Sequence, residues 1–392
     1  MRPERAAIAP HRLRVAAVGD VMLGREVGVH FALSPGDFAM PDIRAAFAGA
    51  DVVLANLENP VASTGRPDPA QDPHVTFRAA PETLSVLKGI GVNVVALGNN
   101  HMLDYGEAAL IETLERLDAA GIRHVGAGRD YEEANAPVLL EVRGRRIAIL
   151  SYAFIYSANT RMASRTRSGI SDHRLDRILR RIRGLVAEGC CVLVTAHWGF
   201  EYRFHPLPYQ MRQARAMIDA GARIVLGHGP HIPQGIEAYR GRDIVYSLGN
   251  FIFDEPYTYA KRSFIYHAEI DDDGATMNRR MTPVLLPHHV PSLMAHDDAE
   301  RMRALVEALS RRYGRRSSAF WRDHSTRYLN ELGGRVVRNR SLKYLRVPPM
   351  GFYRDVGATG ILRIVQRAVT VLRPGGTRRE SGGSRRRPEG IS

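Results

Sequence analysis

The residues of this 392-residue chain that could best carry chemistry are acids, amides and histidines, and they follow short apolar runs. Five such runs occupy residues 13–20, 51–58, 92–101, 190–197 and 222–228. The polar residues at or just after their ends are Asp20, Glu58, Asn100, His101, His197, His228 and His231. Nitrogen and oxygen donors without thiolates favour Zn, Mn, Fe or Mg over a cysteine-rich structural zinc site. The spacing therefore predicts a hydrolytic type of metal site built from several loops.

The apolar runs are typical of strands that are buried on both faces. Helical patterns separate them, at residues 105–121, 172–188 and 208–221. Alternating strands and helices predict a layered α/β fold. Ligands bind such folds beyond the carboxyl ends of the strands, which is where the polar residues fall.

Hairpins also appear in the second half of the chain. Residues 138–142 and 146–152 flank an Arg-Gly-Arg turn, and residues 236–239 and 244–248 flank another. Residues 264–270 run into a turn at 271–274. These hairpins predict mixed sheets, or two packed sheets, instead of one parallel sheet.

Charge divides the chain unevenly. The formal net charge is +14, and residues 291–392 contain 22 Lys and Arg against 9 Asp and Glu. This distribution argues against a uniformly basic nucleic-acid binder. We predict a domain at 12–290, a basic helical region at 291–373 with helices at 298–312, 319–332 and 360–372, and a disordered basic tail at 374–392.

Targeting signals are weak in the sequence. Residues 1–10 lack an apolar signal-peptide core, and no run approaches the length of a membrane helix. Cys190 and Cys191 are adjacent, so we expect no bridge between them. A nucleotide-binding P-loop and a Gly-x-Ser-x-Gly elbow are both absent. We expect a cytoplasmic protein, with peripheral contact at the inner face of the membrane left open.

Six motifs in order resemble the CapA bacterial capsule-synthesis family, named for poly-γ-glutamate production and related to the calcineurin-like metallophosphoesterases. The motifs are GDVMLGR (19–25), ANLENP (55–60), LGNNHMLDYG (97–106), AHWGFEY (196–202), GHGPHIPQG (227–235) and YSLGNFIFD (246–254). The resemblance covers residues 12–290. It implies an α/β/β/α sandwich of two mixed sheets.

The resemblance also implies a divalent-metal shell of Mn, Zn or Fe, with His101 beside it as proton donor. The implied ligands are Asp20, Glu58, Asn100, His197, His228 and His231. The pattern departs from the phosphoesterases in three places: Met22 stands where they have a histidine, Glu58 replaces an aspartate, and two residues separate His228 from His231. These departures leave one ion, two ions or none as alternatives.

Residues near the motifs carry two interpretations each. Asn56 could replace Glu58, Arg25 could meet an anionic substrate, and Glu201 and Tyr202 could contact substrate or belong to the loop. Asp104 and Tyr105 could cap the following helix or orient a histidine. Asn250 is interpreted mainly as a structural turn residue.

The leading hypothesis is a metal-dependent hydrolase acting in capsule or poly-γ-glutamate biosynthesis, with Glu58 as ligand or base and His101 as acid. The alternative is a non-catalytic component of a polymer synthesis or export complex. The expected partner is an anionic small molecule or polymer, such as polyglutamate or a phosphoester. A nucleic-acid partner is disfavoured, because no aromatic-interleaved basic motif is present.

Overall fold

The strand formed by residues 13–21 lies at the centre of the larger of two stacked sheets. It is buried on both faces, so other layers must cover each face of its sheet. Its side chains alternate between the two faces. Ala16 and Val18 face a core shared with helices, whereas Val15 and Ala17 face the second sheet. The computed structural model describes residues 12–69, 71–154, 159–271, 274–311 and 313.

The larger sheet has the order β16-β15-β14-β1-β2-β3-β4, and β13 pairs with the end of β1. Parallel pairing joins β1 to β2, β2 to β3, β3 to β4 and β1 to β13, whereas β14 pairs antiparallel with β1. Its strands are β1 (Leu13–Val21), β2 (Val52–Leu57), β3 (Val94–Ala96), β4 (Arg123–Val125), β13 (Asn250–Ile252), β14 (Arg262–Ile270), β15 (Thr276–Leu285) and β16 (Ser292–Leu293).

The smaller sheet has the order β11-β12-β10-β9-β7-β6 and is also mixed. Its strands are β6 (Val138–Val142), β7 (Arg145–Ala153), β9 (Cys191–His197), β10 (Ile224–His228), β11 (Ile236–Tyr239) and β12 (Arg242–Val245). Both predicted Arg-Gly-Arg hairpins are present, as the antiparallel pairs β6 with β7 and β11 with β12. A two-stranded ribbon, β5 (Ala127–Gly128) with β8 (Gly169–Ile170), lies apart from the two sheets.

Helices cover the outer faces of both sheets. The described helices are α1 (Arg25–Leu33), α2 (Pro41–Ala46), α3 (Leu84–Ile90), α4 (Gly106–Ala120), α5 (Tyr131–Asn135), α6 (Leu175–Ala187), α7 (Pro208–Asp219) and α8 (His296–Ser310). Of these, α5 packs on the β5–β8 ribbon and α8 joins the core between the sheets. The first four share a core with the larger sheet, and α6 and α7 pack on β9 and β10. The predicted α/β/β/α sandwich of two mixed sheets is confirmed.

The region after residue 290 begins with a helix that belongs to the packed core. Met302 and Val306 of α8 join the core between the sheets, and Ser310 Oγ accepts a hydrogen bond from the backbone N–H of Ile236 at 2.8 Å. The division at residue 290 stays a prediction. The helices predicted at 319–332 and 360–372 and the tail at 374–392 lie outside the described residues.

Two further expectations can be compared with the structure. Cys190 and Cys191 are both free thiols. Among the described helices, none combines the length and apolar character that crossing a membrane requires.

A buried hydroxyl helps to hold the segment that leaves β2 to α4. Thr113 Oγ1 accepts a hydrogen bond from the backbone N–H of Val61 at 2.9 Å and donates one to the Ala109 carbonyl at 2.6 Å. We expect Thr113→Val to lower the free energy of unfolding by about 1–3 kcal/mol, because it leaves a buried N–H without a partner. Urea unfolding measures this loss. Glu115→Gln, on the exposed side of the same helix, should stay within about 0.5 kcal/mol of the wild type.

Candidate metal centre

The predicted site residues come together where strands of both sheets end. Asp20 lies near the end of β1, and Glu58 directly follows β2. His197 and His228 end β9 and β10 and are paired in the parallel register of the smaller sheet. Each sheet therefore contributes part of a single cluster, which is the arrangement that the strand-end spacing predicts.

Strands β1 and β13 come close together where Gly19 meets Gly249. A Cβ on Gly19 would lie 1.8 Å from the Gly249 carbonyl oxygen, closer than any real contact. The backbone N–H of Asp20 donates to that same carbonyl at 2.9 Å. Glycine at position 19 thus lets the neighbouring carboxylate sit against β13, beside Asn250.

Asp20 contacts two histidines, one with each carboxylate oxygen. Oδ1 lies 3.2 Å from His228 Nδ1, and Oδ2 lies 3.3 Å from His231 Nδ1. Asn56 Nδ2 donates to Oδ1 at 2.9 Å, and the backbone N–H of Gly229 donates to Oδ2 at 3.2 Å. Asp20 is fully buried, so these contacts take the place of water around its carboxylate.

Glu58 is the second acidic centre of the cluster. Its Oε1 lies 3.5 Å from His197 Nε2, 3.7 Å from His231 Nε2 and 3.8 Å from His101 Nε2. Only about 1% of Glu58 is exposed. Three imidazole rings therefore converge on one buried carboxylate oxygen.

The loop after β10 turns His231 back into the cluster. Gly229 has a φ of 101° and His231 a φ of 59°, both in the left-handed region. This conformation is uncommon for a residue with a side chain and is held where surrounding contacts enforce it. Tyr202 donates its backbone N–H to the Pro230 carbonyl at 2.8 Å, which fixes the loop. Both histidines of the Gly-His-Gly-Pro-His motif consequently face Asp20.

His101 is held at one ring nitrogen and on one face. Its Nδ1 lies 2.8 Å from Asp104 Oδ2, and the Phe77 ring stacks on it with centroids 4.2 Å apart. The backbone N–H of Phe77 also donates to Asp104 Oδ2, at 2.7 Å. Of the two interpretations of Asp104, the contacts support the orienting one; Tyr105 occupies the cap of α4 but makes no side-chain cap bond.

Burial and mutual contacts shift the acids in opposite directions. Burial alone raises the pKa of Asp20, but the close contacts and charges of His228 and His231 outweigh it and bring the pKa below its ordinary value. Burial and then the charge of Asp20 raise the pKa of Glu58 well above its ordinary range. Without a cation, Asp20 is thus the stronger acid of the two carboxyl groups and Glu58 the weaker.

The histidines differ in the same way. Burial lowers the pKa of His197 to about 3, so its ring is neutral at physiological pH. Burial also opposes the charge on His231, yet Glu58 and Asp20 raise its pKa well above the ordinary value. The cluster without metal therefore retains protons that a divalent cation would displace on binding.

The donor set fits a divalent metal ion. Asp20, Glu58 and His231 each present one ligand atom, and these atoms lie within 4.8 Å of one another. His228 is about 1% exposed, and neither of its ring nitrogens makes a hydrogen bond of good geometry within the described part of the chain. A buried imidazole without such bonds is costly unless another group uses its lone pair. Oxygen and nitrogen donors of this kind suit Mn, Zn or Fe.

A cavity of about 110 Å³ opens beside the cluster. Glu58, Asn100, His101, His197 and His231 line it together with residues of the 199–201 loop and Gly229. This volume is small compared with that of sites that enclose a whole ligand. The pocket is therefore suited to one phosphoryl or acyl group, with the rest of a substrate outside.

The remaining candidates fall around this pocket. Glu201 lines it, and the Tyr202 ring lies 6.2 Å from that of His231.

Arg25 makes an ion pair with buried Asp254, and its guanidinium lies 4.9 Å over the Phe77 ring. Arg25 thus supports the aromatic ring that covers His101, although an anionic substrate was the contact considered for it.

Three contributors escaped the sequence-based selection. Asn250, assigned mainly to a turn, has its Oδ1 2.9 Å from His231 Nδ1. Asn99 donates to Asn56 and, through its Oδ1, accepts the backbone N–H of His101 at 3.1 Å. Phe77 follows no strand. Asn99 could have been selected because it precedes the candidate ligand Asn100 in the sequence. No sequence pattern marks Phe77 as part of the site.

Comparison with known proteins agrees with this arrangement. A family model described as "Bacterial capsule synthesis protein PGA_cap" matches residues 14–255. The capsule biosynthesis protein CapA of Bacillus anthracis is 32% identical over 285 residues, 70% of this chain and 69% of the relative. The PGA biosynthesis protein CapA of Bacillus subtilis (strain 168) is 30% identical over 296 residues, 75% of this chain and 77% of the relative.

Solved structures resemble the chain more distantly. The Haemophilus influenzae NAD nucleotidase NadN gives a TM-score of 0.41 at 11% identity, over 76% of this chain and 56% of that one. A putative 5′-nucleotidase of Staphylococcus aureus gives 0.43 at 12% identity, over 76% and 58%. Both similarities are too weak to inform on activity. The sequence match is decisive, and this chain belongs to the bacterial capsule synthesis (PGA_cap) family.

Proposed function

We propose that the chain is a metal-dependent hydrolase acting in the biosynthesis of a capsule polymer of the poly-γ-glutamate type. One observation carries the proposal: two buried carboxylates and four histidines meet at the edge of both sheets, beside a pocket the size of one reacting group. A purely structural core gains nothing from such a cluster, because two buried acids without a cation are costly. The capsule role comes from the relatives' names.

The ion would be held by Asp20, Asn100, His197, His228 and His231, and Glu58 would complete the set or act as base. A divalent ion bound there supplies polarisation of a phosphoryl or acyl oxygen and a lowered pKa for a bound water. Glu58 accepts the proton of the attacking water. The Oε1 atom of Glu58 lies within 4 Å of a ring nitrogen of three histidines.

His101 protonates the leaving group. Its Nδ1 is engaged by Asp104, so its Nε2 is the nitrogen that lies near Glu58 and the pocket. Asp104 keeps the ring in one orientation, and Phe77 prevents it from swinging away. General acid catalysis of this kind contributes about 10²–10⁴-fold to a rate.

We expect His101→Gln to lower kcat by about 100-fold for an alkyl phosphoester or a γ-glutamyl amide, with metal content unchanged. The loss should be much smaller for a substrate with a nitrophenolate leaving group, because such a group departs without a proton. Steady-state kinetics on both substrates measure the difference. Equal losses on both would contradict the role of proton donor.

The activity itself is tested by elemental analysis of the purified chain, followed by a screen of phosphoester, phosphoanhydride and γ-glutamyl amide substrates. Stoichiometric Mn, Zn or Fe with turnover of one class supports the hydrolase. A natively folded, metal-free chain that still supports polymer production would overturn it and would favour the non-catalytic alternative.

We propose in addition that the basic C-terminal region attracts an anionic partner, either membrane lipid or the polymer. Its excess of basic residues supplies the attraction. Deleting residues 374–392 should weaken binding to anionic liposomes or to polyglutamate, with a strong salt dependence. Unchanged binding of both would remove this role from the tail.

A further inference from the structure

A second cavity lies on the opposite face of the smaller sheet from the metal centre. Its volume is about 480 Å³, within the range of small-molecule sites. Tyr152 of β7 lines it, and Tyr152 is paired with Ala196 of β9. The next pair along the same strands is Ala153 with His197, whose ring contacts Glu58. Because neighbouring side chains on a strand point to opposite faces, one sheet separates this cavity from the metal centre.

The cavity wall contains a tyrosine whose ring is packed and whose hydroxyl has no partner among the described residues. Tyr152 is only about 3% exposed, and its hydroxyl makes no hydrogen bond with any residue that the structure describes. Its location on the cavity surface leaves it free to donate to a bound molecule.

The cationic side of the cavity is formed by α6. Arg177 is already engaged, because its Nη1 donates to Asp172 at 2.8 Å and to the Tyr131 hydroxyl at 3.1 Å. Arg180 pairs with Asp176 at 2.9 Å.

Arg181, which also lines the cavity, differs from these two arginines. It makes no hydrogen bond or ion pair with the described residues. Its charge nevertheless acts on Tyr152: burial raises the pKa of that phenol, and Arg181 is the largest opposing influence. The lining thus holds three guanidinium groups against the carboxylates of Glu132 and Asp172, and the unpaired guanidinium is the one that acts on the Tyr152 phenol.

We propose that this cavity is a second binding site, separate from the metal centre, for a small molecule with a carboxylate or phosphate group. Guanidinium groups bind both anions in a bidentate manner, and a phenol adds a third donor. Arg181 would bind the anion, and Tyr152 would donate to it. The proposal is independent of any hydrolytic activity, because neither residue belongs to the metal cluster.

The test is isothermal titration calorimetry of the full chain after treatment with a chelator, with sodium phosphate and L-glutamate as separate probes. We expect saturable binding of at least one probe, weakened about 10-fold or more by Arg181→Gln and by Tyr152→Phe. The tighter probe identifies phosphate or carboxylate as the recognised group. Binding should persist in His228→Ala, which separates this site from the metal centre.

Arg183→Gln is the matched control. Arg183 is also an exposed arginine of α6, but it does not line the cavity, so this variant removes the same charge without changing the cavity wall. It should change the affinity less than 2-fold. Equal weakening by Arg181→Gln and Arg183→Gln would overturn the proposal, as would the absence of saturable binding of either probe up to about 10 mM. Thermal unfolding of each variant verifies that it is folded.

Discussion

Replacing His228 by alanine should strip the purified chain of its divalent metal and lower metal affinity by about 100-fold or more. The ring is buried, lies 3.2 Å from Asp20 and lacks well-formed hydrogen bonds among the described residues, so coordination is the interaction it is placed to make. Elemental analysis of wild type and variant, purified in parallel, measures the loss. Metal-induced rise of the thermal unfolding temperature should disappear with it.

His296→Ala is the control for this experiment. His296 begins α8 and is exposed, so its removal takes away one imidazole without touching the cluster. It should retain the metal content of the wild type. Stoichiometric metal in His228→Ala, with native folding, would exclude this residue as a ligand.

Glu58→Gln should make the metal-free chain more stable while it weakens metal binding. The pKa of Glu58 is raised above its unfolded value, mainly by burial and then by Asp20. The folded state therefore favours a proton on Glu58 that the unfolded state releases, and the contribution of Glu58 to stability falls as pH rises above about 4.5. Glutamine has no proton to lose, so the variant gains about 1–3 kcal/mol relative to wild type near pH 7.

Urea unfolding in chelator from pH 4 to pH 8 measures this gain. The difference between Glu58→Gln and wild type should be near zero at the acid end and grow by up to about 1.4 kcal/mol per pH unit. A constant difference across this range would show that Glu58 is ionised without metal.

Asp20→Asn should change the stability of the metal-free chain in the opposite direction from Glu58→Gln. The folded-state pKa of Asp20 lies below its unfolded value, because His228 and His231 outweigh burial. Its stabilising contribution is present above the unfolded pKa and is lost as pH falls through the folded one. Asparagine removes that contribution, so Asp20→Asn should destabilise the metal-free chain at pH 7.

Much of the metal cluster could be predicted because strand ends carry positional information. Asp20, His197 and His228 each close an apolar run, and the carboxyl ends of parallel strands meet at one edge. The two Arg-Gly-Arg hairpins were equally visible, since each turn is flanked by strand-like residues. Local pattern and a general rule of sheet geometry were sufficient for these elements.

The supporting contacts could not be predicted in this way. Asn250 reaches His231 because β13 pairs with the end of β1, a long-range register that no local pattern encodes. Phe77 stacks on His101 from a segment without regular structure. The charge of the Tyr152 cavity depends on which arginines of α6 form ion pairs. Helical periodicity alone does not distinguish Arg180, which is paired, from Arg181.

The division of the metal cluster between two sheets has a consequence for the order of events during biosynthesis. Asp20 and Glu58 emerge early from the ribosome, whereas His228 and His231 follow more than 160 residues later. Contacts this distant in sequence form late, because the intervening chain must close a long loop first. A nascent chain ending before β10 holds too few donors for tight binding. Tight metal binding would therefore occur only after the two sheets have packed together, and the ion would then stabilise the completed sandwich.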